Sequence, residues 1–594
     1  MNQYVKKYIM IFIVVLSFIV LTGRLVQLQL LGSEEFGKES EKNSIKKITM
    51  IPARGLMYDK KGKVLVDNIP SYSLMINPSL FDTAHLQEVS KMVDLSADEL
   101  KKALSDIKGT NRFNPFRFKR EVDFRTVSYI EENKDKFKGV EIQVEPLRHY
   151  PSKFKGSHIF GYVSEISQKQ LENQIGNYYR QGDLVGMTGL ENSYENYLRG
   201  EKGQRLVSVD VKGKEAGSYN NGNNDIRAVN GLDLILSVDS DLQEYAERLL
   251  SRRKGAIVAL DPRTGEILCL VSKPDFNLED FSGSINSQKF TQLINDKDKP
   301  LFNRVIQSKY PPGSTWKLMM GLTALDCGVL TPKSTISCEG SFTFGGRTWE
   351  DHGAYGSISI ATALEKSANV FFYKLGLKVG LNNLSNYSSQ FYFGVRTGID
   401  IPNETKGFIP TEEYYNKVFP KGWSEGVLVN LGIGQGEILV SPIQLANYVA
   451  IIAMDGNYHQ PHLVSKFRNP ITGELEDVSV NKKKFDIPQS YFDVIKRGMY
   501  LVVNGTGTAA NIKSSEYILA GKTGTAQNPG GNNHSWFVGF APYNDPQIVV
   551  CVLGENAGWG NQFAAPMAAA VMIRYLSGNS VDSYNENSSV TIRD

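Results

Sequence analysis

With 594 residues the chain is too long for one hydrophobic core, and roughly three or four domain-sized units are expected. Hydrophobic residues make up 41% and charged residues 22%, ordinary values for a globular protein, which excludes general disorder. Its 66 basic and 63 acidic residues leave a formal charge of +3, which excludes the concentrated positive field that holds a nucleic-acid backbone.

At the N-terminus no charge interrupts the run from Tyr8 to Gly23, which as a helix would be about 24 Å long. Adding Leu25, Val26, Leu28, Leu30 and Leu31, with Arg24 snorkelling to the interface, extends a transmembrane anchor over residues 8–31. A cleaved signal peptide is the competing reading. Against it, Leu21 is bulky where cleavage wants a small residue, and no cysteine lies nearby to accept a lipid. Lys6 and Lys7 put the tail 1–7 in the cytoplasm, so the expectation is a single-pass protein of the cell membrane with its remainder extracytoplasmic.

Residues 32 to about 50 are polar and charged, the pattern of a stalk. Arg54–Asp59 and Lys61–Val66 predict two short strands around a glycine turn. Residues 83–140 alternate amphipathic helical stretches with basic patches such as Arg117-Phe118-Lys119-Arg120, read as a solvated face. Gly186–Gly203 predicts a capped helix bounded by glycines, and Gly217–Asn230 is the best linker. Together 32–230 reads as an elongated α+β pedestal of the dimerisation-domain type.

Leu232–Val238 predicts a strand and Leu242–Leu250 an amphipathic helix. Ala256–Leu260 and Ile267–Val271 flank Asp261-Pro262-Arg263-Thr264-Gly265 as a hairpin. Tyr517–Ala520, Trp536–Phe540 and Ile548–Leu553 predict three more strands, and Ala565–Leu576 a closing apolar helix. The fold class is therefore α+β and multidomain, with a C-terminal domain over 231–576 built on a five-stranded antiparallel sheet flanked by helices. Residues 577–594 read as a disordered tail. The four cysteines are too sparse for a disulfide framework, and only Cys327 and Cys338 are close enough to be a bridge or a pair of buried thiols.

Three short motifs in this second half carry chemistry: Ser314-Thr315-Trp316-Lys317, Ser367-Ala368-Asn369 and Lys522-Thr523-Gly524. A serine hydroxyl is a poor nucleophile until a base removes its proton. Pro311 and Pro312 stop any preceding helix, so Ser314 falls at the start of a helical run over 315–325. Spacing of three puts the Lys317 amine over the Ser314 hydroxyl. A free lysine titrates near ~10.4, so burial or a second cation, Lys522, must depress it. Unpaired N–H groups at the helix start are suitable donors to a developing oxyanion. Each motif alone has a bland reading: a helix cap, a polar turn, a surface lysine on a strand. In this order, each beside a predicted element, they read as one site.

The chain resembles the class B penicillin-binding proteins, which are peptidoglycan DD-transpeptidases. Beyond the three boxes, the resemblance rests on Arg54-Gly55 with Asp59 and Gly62, Arg148-x-Tyr150-Pro151, Gly189-Leu190-Glu191 with Leu198-Arg199-Gly200, Asp261-Pro262 with Gly265, Gly434-Gln435-Gly436 before Ser441-Pro442, and Trp536-Phe537-x-Gly539. Tyr310-Pro311-Pro312-Gly313 before the serine, and the lack of a module after the transpeptidase domain, are more similar to the elongation-type penicillin-binding protein 2 than to the septal type. The resemblance implies that Ser314 is acylated by the penultimate D-alanine of a stem peptide, with Lys317 as base. Ser367 would relay a proton to the leaving amine and Asn369 would orient Lys317 and the substrate amide. Lys522 and the hydroxyls of Thr523 and Thr525 would hold the terminal carboxylate of substrate or β-lactam. Gly524 would let the strand approach the substrate, and the N–H groups of Ser314 and Thr525 would form the oxyanion hole. Implied partners are stem peptides, β-lactam antibiotics, the membrane, a polytopic membrane glycan polymerase and other elongation-complex proteins. A DD-carboxypeptidase side activity is compatible with the same acyl-enzyme.

Two other functions compete. A membrane-bound β-lactamase or β-lactam sensor would use the same boxes with an activating glutamate, which Glu412-Glu413-Tyr414-Tyr415-Asn416 superficially offers. A scaffold for a glycan polymerase would need no intact boxes. No cofactor is required; a zinc site is the one candidate, since some elongation-type relatives carry one near the second box. Cys338, Glu350, Asp351 and His352 are the ligand types tetrahedral zinc accepts, but Ala368 stands where such relatives can have a cysteine. The favoured reading there is a thiol and a polar loop. Of the other histidines, only His534, in the loop expected after the third box, is placed to line a cleft.

Overall fold

The computed structural model describes residues 3–27, 44–106, 115–173, 178–209, 215–283, 287–528 and 530–578. The chain divides into two units. The smaller joins residues 1–53 to 200–231. Its helix Gln3–Val26 has a mean hydropathy of 2.6 in its most apolar window and buries none of its side chains, so it is long and apolar enough to cross a membrane. Residues 3–7, read as a tail, are helical; Leu28, Leu30 and Leu31 lie outside the described residues, as does the tail from 579. Ile45–Met50, read as stalk, is instead a strand paired antiparallel with Gly203–Val209, which in turn pairs with Glu215–Ser218. The segment read as a linker is likewise bonded to its neighbours. Ile226 and Gln204 exchange backbone hydrogen bonds of 2.8 Å, and Val229 does the same with Glu201. A polar, glycine-rich composition marks irregular backbone, not freedom from pairing.

The larger unit holds residues 54–199 and 232–594. Met57–Tyr58 and Val64–Ile76 form the strand pair expected around the glycine turn. The second strand runs on for 13 residues and pairs antiparallel with Val140–His149. The Arg117–Arg120 patch is not a solvated face. Phe116–Lys119 is a strand, and the Arg117 and Arg120 guanidiniums converge on the Glu145 carboxylate, with Arg120 only 6% exposed. The opposing charge sits 28 residues away in sequence, beyond any local pattern. The helix expected over 186–203 is two short ones, Gly189–Ser193 and Glu195–Leu198, separated at Tyr194. Asp233–Leu236 lies parallel to Met57–Tyr58 and antiparallel to Val464–Arg468, so one sheet takes strands from both sides of residue 231.

The five-stranded sheet has the order Ile267–Lys273, Gly255–Leu260, Ile548–Gly554, His534–Ala541, Ala520–Ala526, antiparallel throughout. Its strands read as near-continuous apolar runs because both faces are covered. Ala256, Val258 and Leu260 enter the core that contains helices Lys317–Asp326 and Pro442–Ala453. Ile257 and Ala259 enter a second core under Ser240–Leu249 and Ala564–Leu576. The strand expected at 517–520 begins only at Ala520 and runs through the third box. Tyr517 and Ile518 are held in a turn, with Tyr517 N donating to Ser514 Oγ at 3.4 Å and Tyr543 N to Ile518 O at 2.8 Å.

Candidate active site

Pro311 and Pro312 interrupt regular backbone, and Gly313 turns the chain at φ 54° into a single 3₁₀ turn, Gly313–Trp316, that leads into the helix Lys317–Asp326. Ser314 sits in that turn, half-buried, while Trp316 and Lys317 are wholly buried. The turn is anchored from outside: Gly313 N donates to Gly434 O at 2.9 Å and Trp536 Nε1 to Pro311 O at 3.1 Å. The second box joins two helices. Ile360–Lys366 ends at Ser367, which is left-handed at φ 54°, ψ 36°, and the next helix begins at Asn369.

The third box lies on the edge strand of the sheet, and the three boxes meet there. Lys317 Nζ donates to Ser367 O at 2.7 Å, Ser367 Oγ at 3.2 Å and Asn369 Oδ1 at 2.7 Å. Lys522 Nζ donates to Ser367 Oγ at 3.1 Å and Thr523 O at 3.2 Å. Four of the five residues expected to be catalytic, Lys317, Ser367, Asn369 and Lys522, are joined by these hydrogen bonds, and Ser314 lies in the turn just before Lys317. One contact differs from the expectation. Among the described residues nothing hydrogen-bonds the Ser314 hydroxyl, and the Lys317 amine is bonded to box two instead. Catalytic hydrogen bonds of a ligand-free site often tighten only around substrate.

Burial pushes Lys317 down to about 7, and the Asp351 carboxylate opposes that fall. Burial also pushes Lys522 well below its ordinary value, and the Lys317 charge adds to the effect. Desolvation, not the second cation expected from the sequence, lowers Lys317.

The residues expected on the substrate side have partners of their own. Thr523 is largely buried and shares a 2.6 Å hydrogen bond with the Thr508 hydroxyl. Thr525 is half-buried; its carbonyl accepts from Gln435 Nε2 at 3.1 Å and its hydroxyl from Gly560 N at 3.5 Å. Gly524 has a reason to be small within the fold itself. A Cβ there would meet Pro312 O at 2.8 Å and Thr315 Cγ2 at 2.9 Å, so its missing side chain lets the strand close on the turn Gly313–Trp316. Gln435 and Thr508 escaped a reading of the boxes. Gln435 had a signal in Gly434-Gln435-Gly436, but Thr508 stands in a loop with none.

His534 is not in a loop. It opens the strand His534–Ala541, its ring packs on Tyr310 with centroids 4.4 Å apart, and its Nδ1 accepts from Asn556 N at 3.1 Å. Glu412 and Asn416 lie on the helix Glu412–Val418, bonded to Asn382 and Trp423 and to none of the boxes. The zinc candidates do not form a metal-ligating group among the described residues. The Asp351 carboxylate is taken up by the backbone of Asn369 and Val370, the Cys338 thiol donates to Ile336 O at 3.6 Å, and Ala368 contributes no ligand. All four cysteines are free thiols, so Cys327 and Cys338 are not bridged.

The family model of the penicillin-binding protein transpeptidase domain matches residues 255–573, and that of the penicillin-binding protein dimerisation domain matches 49–236. The chain is 32% identical to the peptidoglycan D,D-transpeptidase MrdA of Haemophilus influenzae, over 98% of this chain and 94% of that protein. Identity to MrdA of Escherichia coli K12 is also 32%, over 96% and 94%, and it drops to 26% for the E. coli transpeptidase FtsI, over 94% and 89%. Among solved structures, penicillin-binding protein 2 of Helicobacter pylori in complex with MreC aligns with a TM-score of 0.78 at 27% identity, covering 90% of this chain and all of that one. Penicillin-binding protein 2 of Pseudomonas aeruginosa in complex with WCK 5153 gives 0.68 at 30%, over 89% and 97%. With three boxes converging on one hydroxyl and a match along nearly its whole length, the chain belongs to the penicillin-binding protein transpeptidases.

Proposed function

We propose that the chain is a peptidoglycan D,D-transpeptidase of the elongation type, crosslinking stem peptides through an acyl-enzyme on Ser314. The observation that carries this reading is the meeting of Lys317 and Lys522 at the Ser367 hydroxyl, one turn from an unengaged serine. Ser314 Oγ attacks the carbonyl carbon of the penultimate D-alanine while its proton passes to neutral Lys317. The oxyanion faces the N–H groups of Ser314 and Thr525. As the C–N bond breaks, Ser367 hands a proton to the departing D-alanine amine and is reprotonated from the lysine pair. Lys522, Thr523 and Thr525 hold the terminal carboxylate, whose charge stabilises a protonated Lys522. The amine of a neighbouring stem peptide then attacks the ester, a new amide forms, and Ser314 regains its proton; water in place of that amine would give carboxypeptidase activity. β-Lactams enter the same path and stop at the ester.

The apolar helix Gln3–Val26 would anchor the enzyme with its N-terminus cytoplasmic and the boxes outside. A polytopic glycan polymerase is the partner this reading calls for. Support comes from a structural neighbour titled as a complex coordinating polymerization and crosslinking, which aligns with a TM-score of 0.71 at 28% identity over 96% of this chain and 98% of that one. The test is intact-mass analysis after penicillin exposure, with and without Ser314→Ala. A single stable adduct that vanishes in the variant is expected; labelling that persists in Ser314→Ala would refute the assignment, and an adduct lost within minutes would favour a β-lactamase.

A further inference from the structure

We infer that Asp351 is a positioning residue for acyl transfer, anchoring box two so that Ser367 and Asn369 stay on the Lys317 amine. The inference rests on Lys317 acting as the base. Asp351 follows the hairpin made by Ser341–Phe344 and Arg347–Glu350, and its own N–H donates to Gly340 O at 2.9 Å across the hairpin neck. Trp349 fixes the same hairpin by donating from Nε1 to Asn430 Oδ1 at 3.2 Å.

From this held position the carboxylate reaches the start of the 22-residue helix Asn369–Gln390. Oδ1 accepts from Asn369 N at 2.9 Å and from His352 N at 2.7 Å, and Oδ2 accepts from Val370 N at 2.7 Å. A helix start normally takes such acceptors from the side chain of its own cap residue. Here that residue is Ala368, which has none to offer. Asp351 supplies the cap from 18 residues upstream, and the first residue it grips is the one whose Oδ1 binds Lys317.

The neighbouring Ser367 needs such a restraint. A left-handed serine is disfavoured and persists only where surrounding bonds overdetermine it. On one side Ala368 N is bonded to Ala363 O at 2.9 Å, and on the other lies the Asp351 clamp. The clamp also carries charge. The charged groups facing Lys317 are Lys522 from the edge strand and Asp351 from this loop; Ser314, Ser367, Asn369 and the Phe372 ring, 5.5 Å from Nζ, are neutral. Asp351 therefore favours the protonated amine, and removing its charge makes Lys317 easier to deprotonate.

The experiment compares the full chain in detergent with Asp351→Ala and Asp351→Asn, measuring second-order acylation by a fluorescent penicillin from pH 5 to 9 and the melting temperature of each. Asp351→Ala is expected to lose roughly 10- to 100-fold in rate, the scale of a misplaced catalytic group. Asp351→Asn, which keeps one acceptor oxygen and is the variant to use where the alanine form does not fold, should lose less. In both, the acid limb of the profile moves to lower pH. Wild-type rates with an unmoved limb overturn the inference; so does a loss that follows only the folded fraction while the limb stays in place. Failure of the underlying reading looks different, as unaltered acylation in Lys317→Ala.

Discussion

Lys317 and Lys522 converge on one hydroxyl, their Nζ atoms standing 3.2 and 3.1 Å from Ser367 Oγ. Two amines so close in a buried site do not both stay charged at neutral pH, since desolvation lowers both and the Lys317 charge lowers Lys522 further. On the proposed mechanism, that arrangement suits a base for Ser314 and an anion beside Lys522. It also explains why Ser367 is a serine: one rotatable hydroxyl can accept from either amine and donate onward.

The first prediction is a pH profile. With Lys317 titrating at about 7, the fraction of neutral base, and with it the rate of acylation, should fall roughly tenfold per pH unit below that value and level off above it. Stopped-flow labelling by a fluorescent penicillin from pH 5 to 9 measures this directly. A profile that is flat through pH 7 would remove Lys317 from the role of base.

The same depression has a cost in stability. Unfolded, Lys317 titrates near 10.5; folded, near 7. Between those values the unfolded chain binds more protons, so this group makes the fold more stable as pH rises from 7 to 10.5 and leaves it least stable at 7 and below. Lys317→Met removes that dependence. The melting temperature of the variant minus that of the wild type should therefore fall steadily from pH 7 to 10, and a constant difference would contradict the assignment.

What sequence could and could not reveal follows from how far apart the interacting residues lie. The hairpin of Gly255–Leu260 and Ile267–Lys273 was legible because its turn chemistry is local and both strands are buried on two faces. The boxes were legible because each is a short run beside an element. The partners of those residues were not. Asp351 meets Asn369 across 18 positions, Gln435 meets Thr525 across 90, and Arg117 meets Glu145 across 28, none of them with a local periodicity to announce it. The acceptors of the Lys317 amine in box two lie 50 or more positions away and were equally hidden, whereas its helical spacing from Ser314 is local.

A second buried charge cluster lies in the larger unit, among residues 54–195. Glu191, fully buried, accepts from Arg54 Nε at 3.0 Å and Nη2 at 2.5 Å through one oxygen, and from Arg148 Nε at 2.7 Å through the other. Burial pulls the Arg54 guanidinium down, but Glu191 and Glu195 outweigh it and hold its pKa above the ordinary value. Removing one partner of such a network leaves uncompensated charge, at about 3–5 kcal/mol. Glu191→Ala should therefore lower the melting temperature sharply, and Glu191→Gln less, while the molecules that remain folded acylate at the wild-type rate. A Glu191→Ala protein as stable as wild type would show that the network contributes little.

The closest test of the nucleophile turn is Gly313→Ala. Gly313 lies at φ 54°, where an L side chain costs about 1–2 kcal/mol, and a Cβ there would meet the carbonyl oxygen of Thr525 at 2.5 Å and its nitrogen at 3.1 Å. That contact is with backbone, so relief must come from moving the third-box strand away from Ser314. Thr525 N–H is one of the two proposed oxyanion donors, and losing one such donor typically costs about 100- to 1,000-fold in rate. Gly345 supplies the control. It sits at φ 57° in the turn between Phe344 and Arg347, with no atom within 4 Å of an added Cβ, so Gly345→Ala carries the strain without the collision. Gly313→Ala should lose at least about 100-fold in penicillin acylation, while Gly345→Ala loses only stability. Equal acylation by the two variants would mean that the approach of the third box to the nucleophile turn does not set the rate.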